Sequence, residues 1–232
     1  MVRRPIVLVY HGVGDASDSS DPGRMITPPR HVVSHVRFLR RLGYRFRTAE
    51  EVLDAAGGGP PEPGTAVLTF DDGFADWVTV ALPLLRDLGI RATFYVCPGW
   101  LGGRHPDVPG AEGMLLDEAG VRALAAAGME VGSHSMVHAD LRELDEEPLR
   151  ADLGSSKAAV EELTGRACRT LAYPYGLFTG REERAAAEAG YELAFAWRPG
   201  PWRPLAAPRL PAPPRHGAPR LAAKMLGVRR RA

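Results

Sequence analysis

Ala66-Val67-Leu68-Thr69-Phe70-Asp71-Asp72-Gly73 is a short apolar, partly β-branched run that ends abruptly in two acids and a glycine. Such a run reads as a buried strand that delivers carboxylates at its C-terminal end. That is where α/β enzymes keep their chemistry. Further along, Gly132-Ser133-His134-Ser135-Met136-Val137-His138 supplies two imidazoles just after another strand-like run. Two adjacent carboxylates and two imidazoles are enough to hold a metal and run a hydrolysis.

Strand-like and helix-like patterns alternate on both sides of this stretch. Residues 5–10 read as a strand; Val32, Val36, Leu39 and Leu42 recur at helical spacing and stop near Gly43; residues 44–47 can form a second short strand. Trp77, Ala81, Leu84, Leu85 and Leu88 make a helix face ended by Gly89, and residues 92–96 follow as a strand. Asp117 caps a helix running to Ala127, before a strand over 129–131. Leu149, Leu153, Val160 and Leu163 mark a longer helix closed by Gly165; a strand over 170–173, a helix around Glu182 to Glu188, Gly190 and a strand over 191–196 complete the pattern. Repeated βα units with short connections imply parallel strands, and this many suggest a barrel or partly open barrel more than a flat sheet. Residues 55–64 are a Gly/Pro loop, and residues 102–113 form a longer loop that could border a site. The expected division is a catalytic domain over 1–198 and a Pro/Arg-rich segment over 199–232. That segment is expected to wrap over the barrel, where it could complete it, or to form a flexible tail.

At 232 residues, with 45% hydrophobic and 25% charged side chains, the composition is that of a soluble globular protein with room for a sizeable core. A formal net charge of +1 gives no electrostatic case for nucleic acid or an anionic membrane, and the basic tip Arg229-Arg230-Arg231 reads as a solvated tail. Cys97 and Cys168 lie outside any CxxC spacing, so buried free thiols are expected rather than a disulfide framework or a thiolate zinc site. After Met1-Val2-Arg3-Arg4 the apolar run is too short for a signal peptide and meets His11, and no other segment approaches the length of a membrane span. A cytoplasmic location is therefore expected, or a secreted one if a leader is missing.

A catalytic zinc site usually takes three protein ligands and keeps one position open. His134, His138 and one of the two aspartates fit that count. Spacing alone is weak evidence, because His31 and His35 share the same separation. Those two start an amphipathic helix with no acidic strand end beside them, and read as surface or helix-end residues. Of the two acids, one would bind the metal while its neighbour stays free to accept a proton from the attacking water. The competing reading of Asp71-Asp72-Gly73 is a turn with Asp72 capping the next helix.

Thr69-Phe70-Asp71-Asp72-Gly73, His134-Ser135-Met136-Val137-His138 and Ala172-Tyr173-Pro174-Tyr175-Gly176 resemble, in order and content, three motifs of the polysaccharide deacetylase family, the NodB-homology or carbohydrate esterase family 4 group. The likeness extends from about Val7 to Ala196. It implies a single-domain α/β fold, a deformed TIM-like (β/α) barrel of about seven strands, and a metal-dependent N-deacetylase acting on an N-acetylated carbohydrate. Carried over by motif, Asp71 is the general base, and Asp72, His134 and His138 are the ligands of a divalent metal. Zinc is the first candidate ion, with cobalt, manganese and nickel as alternatives. The Tyr175 backbone N–H would stabilise the oxyanion.

Two departures matter. Ala172 stands where many members carry an arginine that braces the base, and no leucine-x-histidine motif supplying a general acid occurs near the C-terminus. His11, ending the strand Leu8-Val9-Tyr10-His11, takes the acid's place if the barrel begins with its last strand, an arrangement resembling a circularly permuted branch of the family; a structural histidine is the rival reading. Arg209, in Ala207-Pro208-Arg209-Leu210-Pro211, is the candidate brace for Asp71, its rival an exposed tail residue. His216 is a fallback acid, and His105 reads as a loop residue. An ester hydrolase acting on xylan, a cyclic amide or imide hydrolase, and an inactive carbohydrate-binding protein are the alternative functions.

Overall fold

The computed structural model describes residues 3–17, 19–197 and 200–229. Arg230 and Arg231 of the basic tip, and Pro199 at the start of the Pro/Arg-rich segment, lie outside the described residues.

In chain order, β1 (Ile6–Tyr10) is followed by the short strands β2 (Gly12–Val13) and β3 (Ile26–Thr27), helix α1 (Pro29–Arg41), β4 (Arg45–Arg47) and α2 (Ala49–Ala56). Then come β5 (Thr65–Phe70), a π-helical turn at Trp77–Ala81 running into α3 (Leu82–Asp87), β6 (Thr93–Val96), α4 (Glu118–Ala126) and β7 (Glu130–Ser133). The long helix α5 (Glu146–Thr164) leads to β8 (Thr170–Ala172), α6 (Gly180–Glu188) and β9 (Leu193–Ala196). The chain ends through β10 (Ala207–Pro208), β11 (Leu210–Pro211) and α7 (Ala218–Arg229).

The main sheet runs β10-β9-β8-β7-β6-β5-β1-β11, with β4 added on β5, and its pairings are all parallel. β10 pairs with β9 and β11 with β1, so residues 207–211, broken at Arg209, lie between the two ends of the sheet and nearly close it. This is a deformed parallel α/β barrel. A closed parallel sheet is covered on both faces, which is why β1 and β5 are buried at every position and read as continuous apolar runs.

Alternation along the strands sorts the core into two clusters. Leu8, Tyr10, Leu68, Phe70, Phe94 and Val96 face the helical sheath, whereas Val7, Val67, Tyr95, Ala172, Leu193, Phe195 and Ala207 line the barrel. Gly132 is required by that lining, since a Cβ there would stand 2.4 Å from the Tyr95 ring and 2.7 Å from Thr170 Oγ1.

The N-terminal end of the barrel is plugged by α2, whose Ala49, Val52 and Leu53 join the lining cluster. Its first turn is tied to the strand starts, with Ala49 N–H donating to Thr93 Oγ1 at 2.9 Å and Glu50 N–H to Glu130 Oε2 at 2.8 Å. The sequence reading leaves this helix out and gives its last two residues to a loop. The signal was present in Thr48-x-x-Glu51, a capping box in which Thr48 Oγ1 accepts from Glu51 N–H and Glu51 accepts from Thr48 N–H. The Pro/Arg-rich segment supplies β10 and β11, which nearly close the barrel as its expected wrap allows, and then forms the helix α7 where an extended or flexible end was expected. Cys97 and Cys168 are buried free thiols. Among the described residues no helix is long and apolar enough to cross a membrane.

Candidate active site

β5 ends at Phe70 and hands Asp71 and Asp72 to the C-terminal mouth of the barrel. Both carboxylates are buried, and Asp71 N–H donates to Tyr10 O at 2.9 Å. Asp72 has φ 82°, and Ser135, His138 and Tyr175 share the left-handed region at 66°, 54° and 58°. Four non-glycine residues of three different loops in this conformation mark a backbone bent to aim side chains at one point.

Four imidazoles surround Asp72 among the described residues. His134 Nε2 and His138 Nε2 lie 3.3 and 3.4 Å from Oδ1; His105 Nε2 and His11 Nε2 lie 3.2 and 4.0 Å from Oδ2. Asp72 therefore does not cap a helix. Its Oδ1 is buried and has no hydrogen-bond partner. His134 Nδ1 donates to Ala172 O at 2.6 Å, so the neutral ring turns the Nε2 lone pair toward that same bare oxygen. Two lone pairs 3.3 Å apart repel unless a cation lies between them.

The electrostatics agree. Burial works to raise the Asp72 carboxyl, yet the imidazoles of His105, His134 and His11 around it hold it well below the usual carboxylate range. Burial pulls His134 down, but Asp71 and Asp72 prevail and raise it, while burial and His134 push His138 down to about 4. One ligand atom from each of Asp72, His134 and His138 lies within 4.8 Å of the other two, and together they can hold a metal ion. Two imidazole nitrogens and one carboxylate oxygen suit a borderline divalent cation.

Asp71 faces Arg209. Nη1 and Nη2 donate to its two oxygens at 2.7 and 2.6 Å, and Nη1 also donates to Thr69 Oγ1 at 3.0 Å. Arg209 is buried in the barrel, its guanidinium 5.9 Å from the ring centroids of Tyr95 and Phe195, so it is not an exposed tail residue. A bidentate guanidinium fixes the orientation of the carboxylate it grips. Asp71 Oδ2 also stands 3.8 Å from His134 Nε2, beside the metal-ligand cluster.

His11 follows β1 and is half-buried at the mouth. Trp77 Nε1–H donates to its carbonyl at 2.8 Å, Asp76 accepts Val13 N–H at 3.0 Å, and the Trp197 ring meets its imidazole edge-on at 6.1 Å. Tyr175 sits in the 3₁₀ turn Pro174–Gly176, its ring 4.5 Å from that of His138. Gly176 has φ 64°, and a Cβ there would lie 2.5 Å from Trp197 N, so only glycine lets this turn pack on the end of β9.

Other histidines depart from expectation. His35 is fully buried rather than on the surface, between Tyr10 OH at 3.0 Å and His216 O at 2.8 Å. His216, the fallback acid, is exposed beside α1 and is not among the four imidazoles around Asp72. His105 belongs to the 102–113 loop as expected, but the loop turns it into the site. A lone histidine in a glycine-rich loop gives no periodic signal, and only its proximity in the fold reveals it.

The family model described as polysaccharide deacetylase matches residues 58–194, more than half of the chain. The chain belongs to the polysaccharide deacetylase family. The matched span holds Asp71, Asp72, His134, His138 and Tyr175, while His11 and Arg209 lie outside it. Among curated relatives, the YxkH protein of Bacillus subtilis is 24% identical over 84% of this chain and 64% of its own length. A chitin deacetylase of Pestalotiopsis sp is 31% identical over 49% of this chain and 35% of its own length. The chain thus spans less than two thirds of both. The structure of IcaB from Ammonifex degensii superimposes with a TM-score of 0.78 at 24% identity, covering 97% of each chain, which shows the shared deacetylase barrel fold.

Proposed function

We propose that this polysaccharide deacetylase family member is a metal-dependent hydrolase that removes N-acetyl groups from an amino sugar in a polysaccharide, oligosaccharide or glycan precursor. The observation that carries this reading is the buried, unpartnered Asp72 Oδ1 facing the Nε2 atoms of His134 and His138, with the arginine-paired Asp71 alongside. The partial match to a chitin deacetylase supports an N-acetylated amino sugar.

Asp72, His134 and His138 would hold the ion; zinc is first among the candidates. When bound, a divalent ion there supplies Lewis-acid activation of water and of the acyl carbonyl. Asp71 takes the proton of the attacking water. Each of its oxygens keeps a second lone pair beyond the one bonded to Arg209, which holds the carboxylate in place for the transfer. The Tyr175 N–H donates to the developing oxyanion. His11 gives a proton to the departing amine, and acetate and a free amino sugar leave.

The test is acetate release from N-acetylglucosamine oligomers and from acetylated xylan by metal-stripped protein, before and after zinc or cobalt is restored. Release from the oligomers that returns with the metal and falls sharply in His11→Ala is expected. Release from xylan alone would move the activity to an ester, and metal uptake without acetate from either substrate would overturn it.

A further inference from the structure

His105 is held more tightly than its place in a long loop suggests. Residues 102–116 fold back on themselves, with Gly102 N–H on Leu116 O at 2.7 Å, Leu115 N–H on Gly103 O at 3.1 Å and His105 N–H on Gly113 O at 2.7 Å. The returning limb is bonded to the turn that carries Asp72: Leu116 N–H donates to Gly73 O at 2.7 Å and Ala75 N–H to Met114 O at 2.9 Å. The imidazole is buried, stacks on Phe74 at 5.1 Å and 15°, and is met edge-on by Trp100 at 5.5 Å.

Its protonation is fixed locally. Asp107 N–H donates to His105 Nδ1 at 3.1 Å, so that nitrogen keeps its lone pair and the neutral ring carries its proton on Nε2. This Nε2 faces Asp72 Oδ2 at 3.2 Å. One carboxylate oxygen is thereby occupied by a donor, and the other is left bare toward His134 and His138.

We infer that His105 is a positioning residue for the metal: by donating Nε2–H to Asp72 Oδ2 it stops the carboxylate from rotating and commits Oδ1 as a one-atom ligand. The inference rests on the reading of Asp72, His134 and His138 as the metal's holders. His105 itself stays outside the ligand set, because its one available lone pair is taken by Asp107 N–H. Partners that orient a ligand in this way typically change metal affinity when removed, by about 10- to 100-fold.

The experiment titrates zinc and cobalt into the metal-free full chain against a chromophoric chelator, for the wild type, His105→Leu and His105→Gln, with the visible cobalt spectrum and the melting curve of each metal-free protein recorded alongside. His105→Leu is expected to bind about 10- to 100-fold more weakly with an altered cobalt spectrum, and His105→Gln, which restores an N–H near the Nε2 position, to recover most of the affinity. Should the leucine variant not fold, His105→Asn, which is too short to reach Asp72, is expected to weaken binding in the same way. Wild-type affinity and spectrum in the leucine or asparagine variant would overturn the inference. So would equal losses in His105→Gln and His105→Leu, the sign of direct ligation. A wild-type chain that takes up no metal would overturn the metal centre itself, and this inference with it.

Discussion

At the N-terminal end of the barrel, Glu130 accepts Thr170 Oγ1 on one oxygen at 2.6 Å, and Thr93 Oγ1 and Glu50 N–H on the other at 2.8 Å each. At the C-terminal end, Asp72 accepts His105 on one oxygen and leaves the other bare. Asp72 is buried and Glu130 half-buried, and their titrations diverge. Burial raises the Glu130 carboxyl, with the neutral donors only moderating it, whereas the imidazoles around Asp72 overcome burial. A carboxylate whose oxygens are all met by neutral donors ties backbone together. One kept ionised among imidazoles, with an acceptor unfilled, is built to receive a cation.

The sharpest way to break this contrast is at Asp71, which borders the metal-ligand cluster without belonging to it. Asp71→Asn preserves shape but removes the base, and acetate release is expected to fall by about 10²- to 10⁴-fold while metal affinity stays near that of the wild type. Retained turnover would reassign the base. Loss of metal binding would place Asp71 among the ligands and erase the distinction between the two neighbouring acids.

Arg209→Leu tests whether the mouth of the barrel is also a structural element. It removes both hydrogen bonds to Asp71 and the one to Thr69, and leaves a buried carboxylate unpaired at the seam where β10 and β11 meet β9 and β1. Removing one partner of such a pair costs about 3–5 kcal/mol. The expected readout is a lowered urea midpoint of the metal-free protein. An unchanged midpoint would mean that the pair serves Asp71 alone and does nothing for closure of the barrel.

Legibility in the sequence follows how local each feature is. Asp71-Asp72-Gly73 and His134-x-x-x-His138 were readable because strand and loop carry their ligands within a few residues, and β1, β5 and β9 because burial on both faces leaves unbroken apolar runs. α2 escaped because it is short and rich in alanine and acids, with only the Thr48–Glu51 cap to betray it. β10, β11 and α7 sit in a proline- and arginine-rich stretch whose composition resembles a tail. Arg209 is legible as a partner of Asp71 only by expecting a last short strand to re-enter the barrel, since 138 positions separate the two and no local pattern links them. His105 is set by backbone bonds between two loops that no periodicity records.

Glu130→Gln is the smallest and most discriminating change. Glutamine keeps an acceptor for Glu50 N–H, and the threonine hydroxyls can turn to match its amide, so the loss is expected to stay near 1 kcal/mol, about one hydrogen bond, with metal affinity unaltered. Its pH dependence carries the contrast. The folded Glu130 titrates above its ordinary value of 4.5, so between that value and the raised one the folded chain holds a proton that the unfolded chain has released. Its contribution to stability is fully present below about 4.5 and declines as pH rises through the folded value. Glutamine does not titrate. The wild type's advantage over Glu130→Gln, read from urea midpoints of the metal-free proteins between about pH 4 and pH 7, should therefore shrink as pH rises. An advantage that grew with pH would mean that Glu130 is held ionised like Asp72, and that the two ends of the barrel solve the same problem in the same way.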